Sequence, residues 1–273
     1  MTALSARRGG AQAVGSSPIA WAARLLFIAA LLGVWHLAAG SPLLRDFLPT
    51  PFVTVLALGR MLTDGGLWLD LGLTLRSALT GLAIAASFGI VLGLLIGASR
   101  FLHRSTAFTI DFLRTVPGLA LIPLGILVFG PTMSLAVFMI VFAALWPILI
   151  QSISAARNLD RAIIEMATVY RIPLLRRLFQ VLLPACLPSI AAGLRLAAVL
   201  AVLLAVGTEL LTGAPGLGSR IAFYQETSNY GPMYACVIIA GFFGVAFNAL
   251  VRLVERRALR WYHVPRELAR RAG

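Results

Sequence analysis

The stretch TVPGLALIPLGILVFGPTMSLAVFMIVFAALWPILIQSISAA, Thr115 to Ala156, runs for 42 residues without one Asp, Glu, Arg, Lys or His. As a straight helix it would be ~63 Å long at ~1.5 Å per residue, about twice the ~30 Å hydrocarbon core of a bilayer. One crossing cannot absorb it. Gly130-Pro131, near the middle, joins a permissive residue to one that cannot continue a helix, so two spans are expected on either side. Pro117 and Pro123 should kink the first of them, which a membrane tolerates where neighbouring helices re-satisfy the freed backbone groups.

Working outward, four further apolar stretches read as spans: Ile19 to Ala39, Ser77 to Ser99, Pro188 to Glu209 and Tyr234 to Val251. The expected class is therefore an all-α integral membrane protein with six transmembrane helices. Composition agrees, with 60% hydrophobic and only 12% charged residues and a mean hydropathy of +0.92. A water-soluble domain carries about a quarter charged residues. The first stretch has a competing reading as a signal peptide, because Leu37-Ala38-Ala39-Gly40 resembles a cleavage site; its apolar run, at the upper limit for such a segment, favours a retained helix. In the second, Gly89, Gly93 and Gly97 form small-x-x-x-small steps that let helix backbones approach closely.

All 23 basic residues are arginine. A phosphate-binding Walker loop needs a lysine to reach the β/γ-phosphates, so any nucleotide chemistry belongs to another chain and no catalytic residue is assigned here. With the N-terminus inside, 17 arginines fall in the inner flanks, from Arg7 to the tail ending at Arg271, and four (Arg45, Arg60, Arg76, Arg220) fall outside. The positive-inside rule then places both termini in the cytoplasm. This clustering beside spans also accounts for the net charge of +13 without nucleic acid, for which no aromatic-interleaved basic face exists. Cys186 and Cys236, far apart, read as small buried residues rather than a disulfide or metal site. His36, His103 and His263 lack partners at ligand spacing, so no metal or other cofactor is expected.

Between spans four and five lies Arg161 to Ala185, RAIIEMATVYRIPLLRRLFQVLLPA. Ile163, Ile164, Ala167 and Tyr170 recur at helical steps, and Pro173 interrupts the pattern. A second helical stretch follows with Leu174, Leu175, Leu178 and Val181. Two short helices joined by a bend at Arg171 to Pro173 would make a protruding knob. This segment resembles the Glu-Ala-Ala loop of binding-protein-dependent ABC importer permeases. Glu165, Ala167, Leu183 and Pro184 match that motif at full spacing, and Val181 takes its isoleucine place. Met166 replaces an alanine and Arg171 replaces the glycine of the bend.

Elsewhere, Leu48-Pro49-Thr50-Pro51, Thr74-Leu75-Arg76-Ser77, Leu113-Arg114-Thr115-Val116-Pro117, Ile122-Pro123-Leu124, Gly193-Leu194-Arg195, Glu209 and Gly216-Leu217-Gly218 look like the nitrate/sulfonate/taurine branch. Pro131-Thr132-Met133-Ser134 departs from it, where a polar Gly-Glu and a lysine are usual. The resemblance implies a type I ABC importer permease fold, a homodimer, separate ATPase subunits and a periplasmic or lipid-anchored solute-binding protein. It makes Glu165, Met166, Ala167, Arg171, Val181, Leu183 and Pro184 the ATPase-coupling residues. By pattern alone, the competing reading of this segment is an amphipathic helix lying on anionic lipid. The implied domains are an N-terminal tail 1–18, a membrane domain 19–251 with its core at 71–251 and coupling loop at 152–187, and a basic tail 252–273. The solute would be a small anion such as a sulfonate, taurine or nitrate, with pyrimidine or vitamin-like compounds as alternatives.

Two charges fall at span five. Glu209, at its outer end, reads either as a pathway or gate residue or as a helix-end carboxylate at the interface. Arg195, about two turns in, is expected to snorkel toward the cytoplasmic interface rather than to touch solute. Asp111 and Arg114 are spaced to pair on one helical face. A membrane-embedded enzyme acting on lipid would need clustered acids or histidines, which the scattered acids do not supply. A secondary transporter, the alternative function, would need ionisable relays within its spans, for which one carboxylate at a span end is thin support.

Overall fold

The computed structural model describes residues 18–173 and 176–259, so the expectations resting on Arg7, Arg8, Leu174, Leu175, Arg260, His263, Arg266, Arg270 and Arg271 lie outside it. Every regular element among the described residues is helical. Helix α1 is Pro18–Ala39, α2 Pro51–Leu62, α3 Gly65–Ala98 and α4 Arg100–Thr115. A 3-10 turn, Gly118–Leu121, leads into α5, Ile122–Phe129. Then come α6, Met133–Arg157, and α7, Arg161–Val169. A π-helical turn, Arg177–Leu182, enters α8, Leu183–Thr212, followed by α9, Leu217–Glu226, and α10, Tyr230–Ala258.

Five stretches are long and apolar enough to cross a bilayer, built on α1, α3, α6, α8 and α10. The third expected span is not a straight helix. Its proline-rich part holds only the short turn and α5, bent by 83° from α4. The break falls where Val116 precedes Pro117 and takes an extended conformation, φ −65° and ψ 120°, because the proline ring disfavours a helical residue before it. The bent pair nevertheless returns the chain. Gly81 meets Ile140 and Gly97 meets Ala156, so α3 and α6 run parallel, and the segment between them must traverse the bundle. Counted this way there are six crossings.

The centre of the bundle is α3, α6 and α8. Ala78, Leu82 and Ala85 of α3 pack with Leu135, Met139, Ile140, Ala144 and Ile148 of α6 and with Ala197, Ala198 and Ala201 of α8. In lipid, helix association draws on van der Waals packing rather than on a difference in apolarity, so close backbone approach matters. The glycine steps supply it: a Cβ at Gly93 would lie 2.8 Å from the Leu149 carbonyl oxygen and collide with Ser152. Lipid-facing positions such as Phe88, Val91 and Leu95 remain exposed on the isolated chain.

Helix α8 starts earlier and ends later than the span read from Pro188 to Glu209. Pro184 occupies its first turn, where a missing N–H costs least, and Pro188 sits inside the helix. At the far end Gly213, at φ +71°, closes it. Helix α10 likewise runs on to Ala258, through the boundary expected at 251/252. Leu48-Pro49-Thr50-Pro51 forms a stiff entry to α2: the Thr50 hydroxyl accepts from the Val53 N–H at 3.5 Å, with Pro51 at the first position of the helix. Helix α1 touches the rest mainly at one end, where the Trp35 indole donates to the Pro49 carbonyl at 3.0 Å. Both thiols are free and buried, Cys236 beside Leu67, Leu217 and Ile221 and Cys186 beside Ala155 and Ile190.

Candidate functional site

The connection after α6 forms a compact knob at the end of the bundle where α3 and α6 stop. The Asp160 carboxylate accepts from the Ala162 N–H at 2.9 Å, capping α7 as an N-cap acid does. Glu165 lies one turn into this helix, and Asp160 holds the capping position. The other end of α7 closes with the Ile172 N–H on the Ala167 carbonyl at 3.1 Å and the Tyr170 N–H on that of Met166 at 3.0 Å. The six-to-one bond is the Schellman arrangement, which needs a left-handed residue just past the cap. That residue is Arg171, at φ +49°. Arg171 thus takes a left-handed conformation of the kind that glycine adopts most readily.

Ala167 is buried, while Glu165 is exposed. Three apolar neighbours on the same helix end face outward: Met166 is 58% exposed, Val169 78% and Tyr170 76%. Val181 lies in the π turn, half-buried. Leu183 packs against the Ala155, Cys186 and Ile190 cluster, and Pro184 opens α8. The knob is rooted in the bundle by its second half and presents its first.

At the opposite end, Glu209 is only 1% exposed. Its Oε2 accepts from the Thr74 hydroxyl at 2.8 Å and from the Gly218 N–H at 3.1 Å. Thr74 Oγ1 in turn accepts from the Leu217 N–H at 2.9 Å. The carboxylate therefore ties α3, α8 and the start of α9 together. Glycine is required at both flanking positions: a Cβ at Gly216 would sit on the Glu209 carboxyl group, and one at Gly218 on the backbone of Val206 and Leu210. Just outside, Arg220 donates through Nε to Asp70 and through Nη1 to Asp64 at 2.6 Å. Asp64 also accepts from the Gly66 N–H at 2.9 Å. The Gly66 amide first, and the Arg220 guanidinium after it, hold the Asp64 carboxyl below the ordinary carboxylate range. Glu209, which the sequence leaves open between a pathway or gate role and a helix-end place at the interface, is thus an interior group.

Sequence reading singled out Glu209 but neither Thr74 nor the Asp64–Arg220–Asp70 set as its neighbours. They are separated by up to 156 residues, and no local spacing signals such a contact. Arg195 lies 3.4 Å from Glu255 of α10, so its charge is met between helices. Asp111 and Arg114 pair at 3.0 Å, as their spacing predicts. An open apolar groove of about 760 Å³ runs between the bend after α4 and helices α6 and α8, lined by Pro117, Phe142, Trp146, Leu196, Leu200 and Leu203.

Crossing helices knit by glycine contacts, with a knob at one end and a polar lock at the other, define a multi-pass α-helical membrane protein. Comparison with known proteins narrows this class. The chain belongs to the family of binding-protein-dependent transport system inner membrane components, whose model matches residues 89–260. A Bacillus subtilis protein named as an aliphatic sulfonates transport permease, SsuC, is 31% identical over 248 residues, 90% of each chain. The nitrate import permease NrtB of Leptolyngbya laminosa is 33% identical over 197 residues, 72% of this chain and 71% of that one. Among solved structures, an inward-facing form of the MetNI methionine ABC transporter contains a chain of the same fold, with a TM-score of 0.58 at 19% identity, covering 70% of this chain and 94% of that one.

Proposed function

We propose that this chain is the permease subunit of an ATP-driven importer, working as a homodimer whose 152–187 loop docks on a separate ATPase. The observation that carries the reading is the outward apolar face of Met166, Val169 and Tyr170 beside Glu165. An amphipathic helix of this kind fits a groove in a partner, and its Schellman closure at Arg171 presents it as a rigid unit. The absence of lysine supports the view that ATP is bound on another subunit. The apolar groove beside Phe142 and Trp146 is the face offered to a second copy and to the solute path. A periplasmic or lipid-anchored binding protein would deliver solute to the end that carries Glu209, with both termini in the cytoplasm. The names of the relatives support a small anion, a sulfonate or nitrate, as solute.

Glu165→Ala tests the docking. An exposed carboxylate in mid-helix contributes little to the fold, whereas losing a charge-assisted contact in a docked groove costs ~2–5 kcal/mol. Membrane levels should stay normal while co-purification of the ATPase subunit and uptake collapse. Unchanged assembly and uptake would make Glu165 a simple surface acid and remove it from the coupling set.

A further inference from the structure

At the end of the bundle that carries the knob, a second cavity lies between the last turn of α3, the last turn of α6 and the π turn that enters α8. Its volume is about 600 Å³, within the ~300–1,000 Å³ of small-molecule sites. Its lining divides in two. Three arginines from three separate elements, Arg100, Arg157 and Arg177, line it, and the remaining wall is apolar, with Leu94, Leu182 and Leu183. No acidic side chain among the described residues lines it.

Like charges gathered in one cavity repel, and the usual remedy is a carboxylate close by. Arg114, Arg195 and Arg220 all have one. Arg100 and Arg157 make no ion pair among the described residues. Arg100 is also the first residue of α4, so the positive end of that helix dipole adds to the field at the rim. The cavity is therefore strongly anion-seeking on one side and hydrocarbon-like on the other. It sits at the ends of α3 and α6, both long enough to span the membrane, which places it at headgroup depth.

We infer that this cavity binds an anionic phospholipid, its phosphate held by Arg100, Arg157 and Arg177 and its upper acyl chain laid along Leu94, Leu182 and Leu183. Basic pockets between transmembrane helices are suited to such headgroups. A free phosphate would satisfy the arginines but leave the apolar wall uncovered; an uncharged lipid would do the reverse. This assignment requires only that the chain is embedded in a membrane and stands whether or not the knob docks on an ATPase.

The test uses the full chain in nanodiscs of phosphatidylcholine containing a minority of phosphatidylglycerol, extracted mildly and weighed by native mass spectrometry. The unmodified protein should retain phosphatidylglycerol in clear excess over its share of the bilayer. Arg100→Gln with Arg157→Gln should lower that retention by about tenfold or more, the effect of two cations at an anionic headgroup. Ala98→Phe, which fills the cavity without changing charge, should lower it as well. Arg45→Gln, in the loop after α1, should not. Melting curves establish that the variants are folded, and the lipid ratio on the unmodified protein is decisive without them. Equal retention of the two lipids, or retention unaffected by both the charge and the filling variants, would overturn the inference. So would displacement of the lipid by millimolar inorganic phosphate, which would make the cavity a site for a soluble anion.

Discussion

The Thr74 hydroxyl donates to Glu209 Oε2 at 2.8 Å, joining α3 to α8 across 135 residues of chain. Glu209 Oε1 finds no hydrogen-bond partner among the described residues, so the carboxylate is held on one side only. Burying it is costly. Thr74 has a second acceptor in the Asp70 carbonyl at 3.1 Å, whereas the Gly218 N–H depends on Glu209. Glu209→Ala should therefore strand one donor and open a void, destabilising the protein by about 2–4 kcal/mol. Glu209→Gln keeps an acceptor in place and removes the buried charge, and should melt at or above the parent temperature. Thermal denaturation in detergent reads both. If Glu209→Gln holds its stability but abolishes uptake, the charge itself serves transport.

Arg171 carries its left-handed conformation at a cost of about 1–2 kcal/mol for a residue with a Cβ. Arg171→Gly removes that strain and adds unfolded-state freedom of about 0.5–1 kcal/mol. The net should favour the Schellman closure slightly, and hydrogen exchange at the Ile172 amide should slow or stay level. Arg171→Val, β-branched at positive φ, should speed the same exchange. Faster exchange in the glycine variant would show that the arginine side chain, not the backbone, holds the bend.

Gly93 and Gly72 lie on the same helix in opposite surroundings. A Cβ at Gly93 has no room against Ser152 and Leu149, while at Gly72 nothing lies within 4 Å. Gly93→Ala should cost about 1–3 kcal/mol through overpacking. Gly72→Ala should gain up to about 1 kcal/mol from helix propensity. The melting temperatures should move in opposite directions, and a loss at both positions would point to a helix-wide effect.

Orientation is open to labelling. Single cysteines at Asn158, beside the knob, and Ser228, in the turn before α10, replace the native thiols. An impermeant reagent added to intact cells should reach Ser228→Cys and spare Asn158→Cys until the membrane is broken. The reverse pattern would invert the proposed topology and put the knob outside.

The all-helical membrane class, the six crossings and the position of the knob were legible along the chain. Those properties depend on local quantities: the length of an apolar run, a proline at a boundary, a motif at fixed spacing. Even the bend at Arg171 to Pro173 could be located, because Pro173 interrupts the helical pattern there. The placement of the charges was not legible. The partners of Glu209, Arg220 and Arg195 come from helices far along the chain, and α3 and α6 turn out parallel only once the proline-broken segment is seen to return between them. The 83° break itself combines a local cause, Pro117, with an angle set by packing. Periodicity specifies which face of a helix is buried, but not which helix buries it. That requires the backbones to meet at glycines, and it is this meeting that gathers Arg100, Arg157 and Arg177 around one cavity.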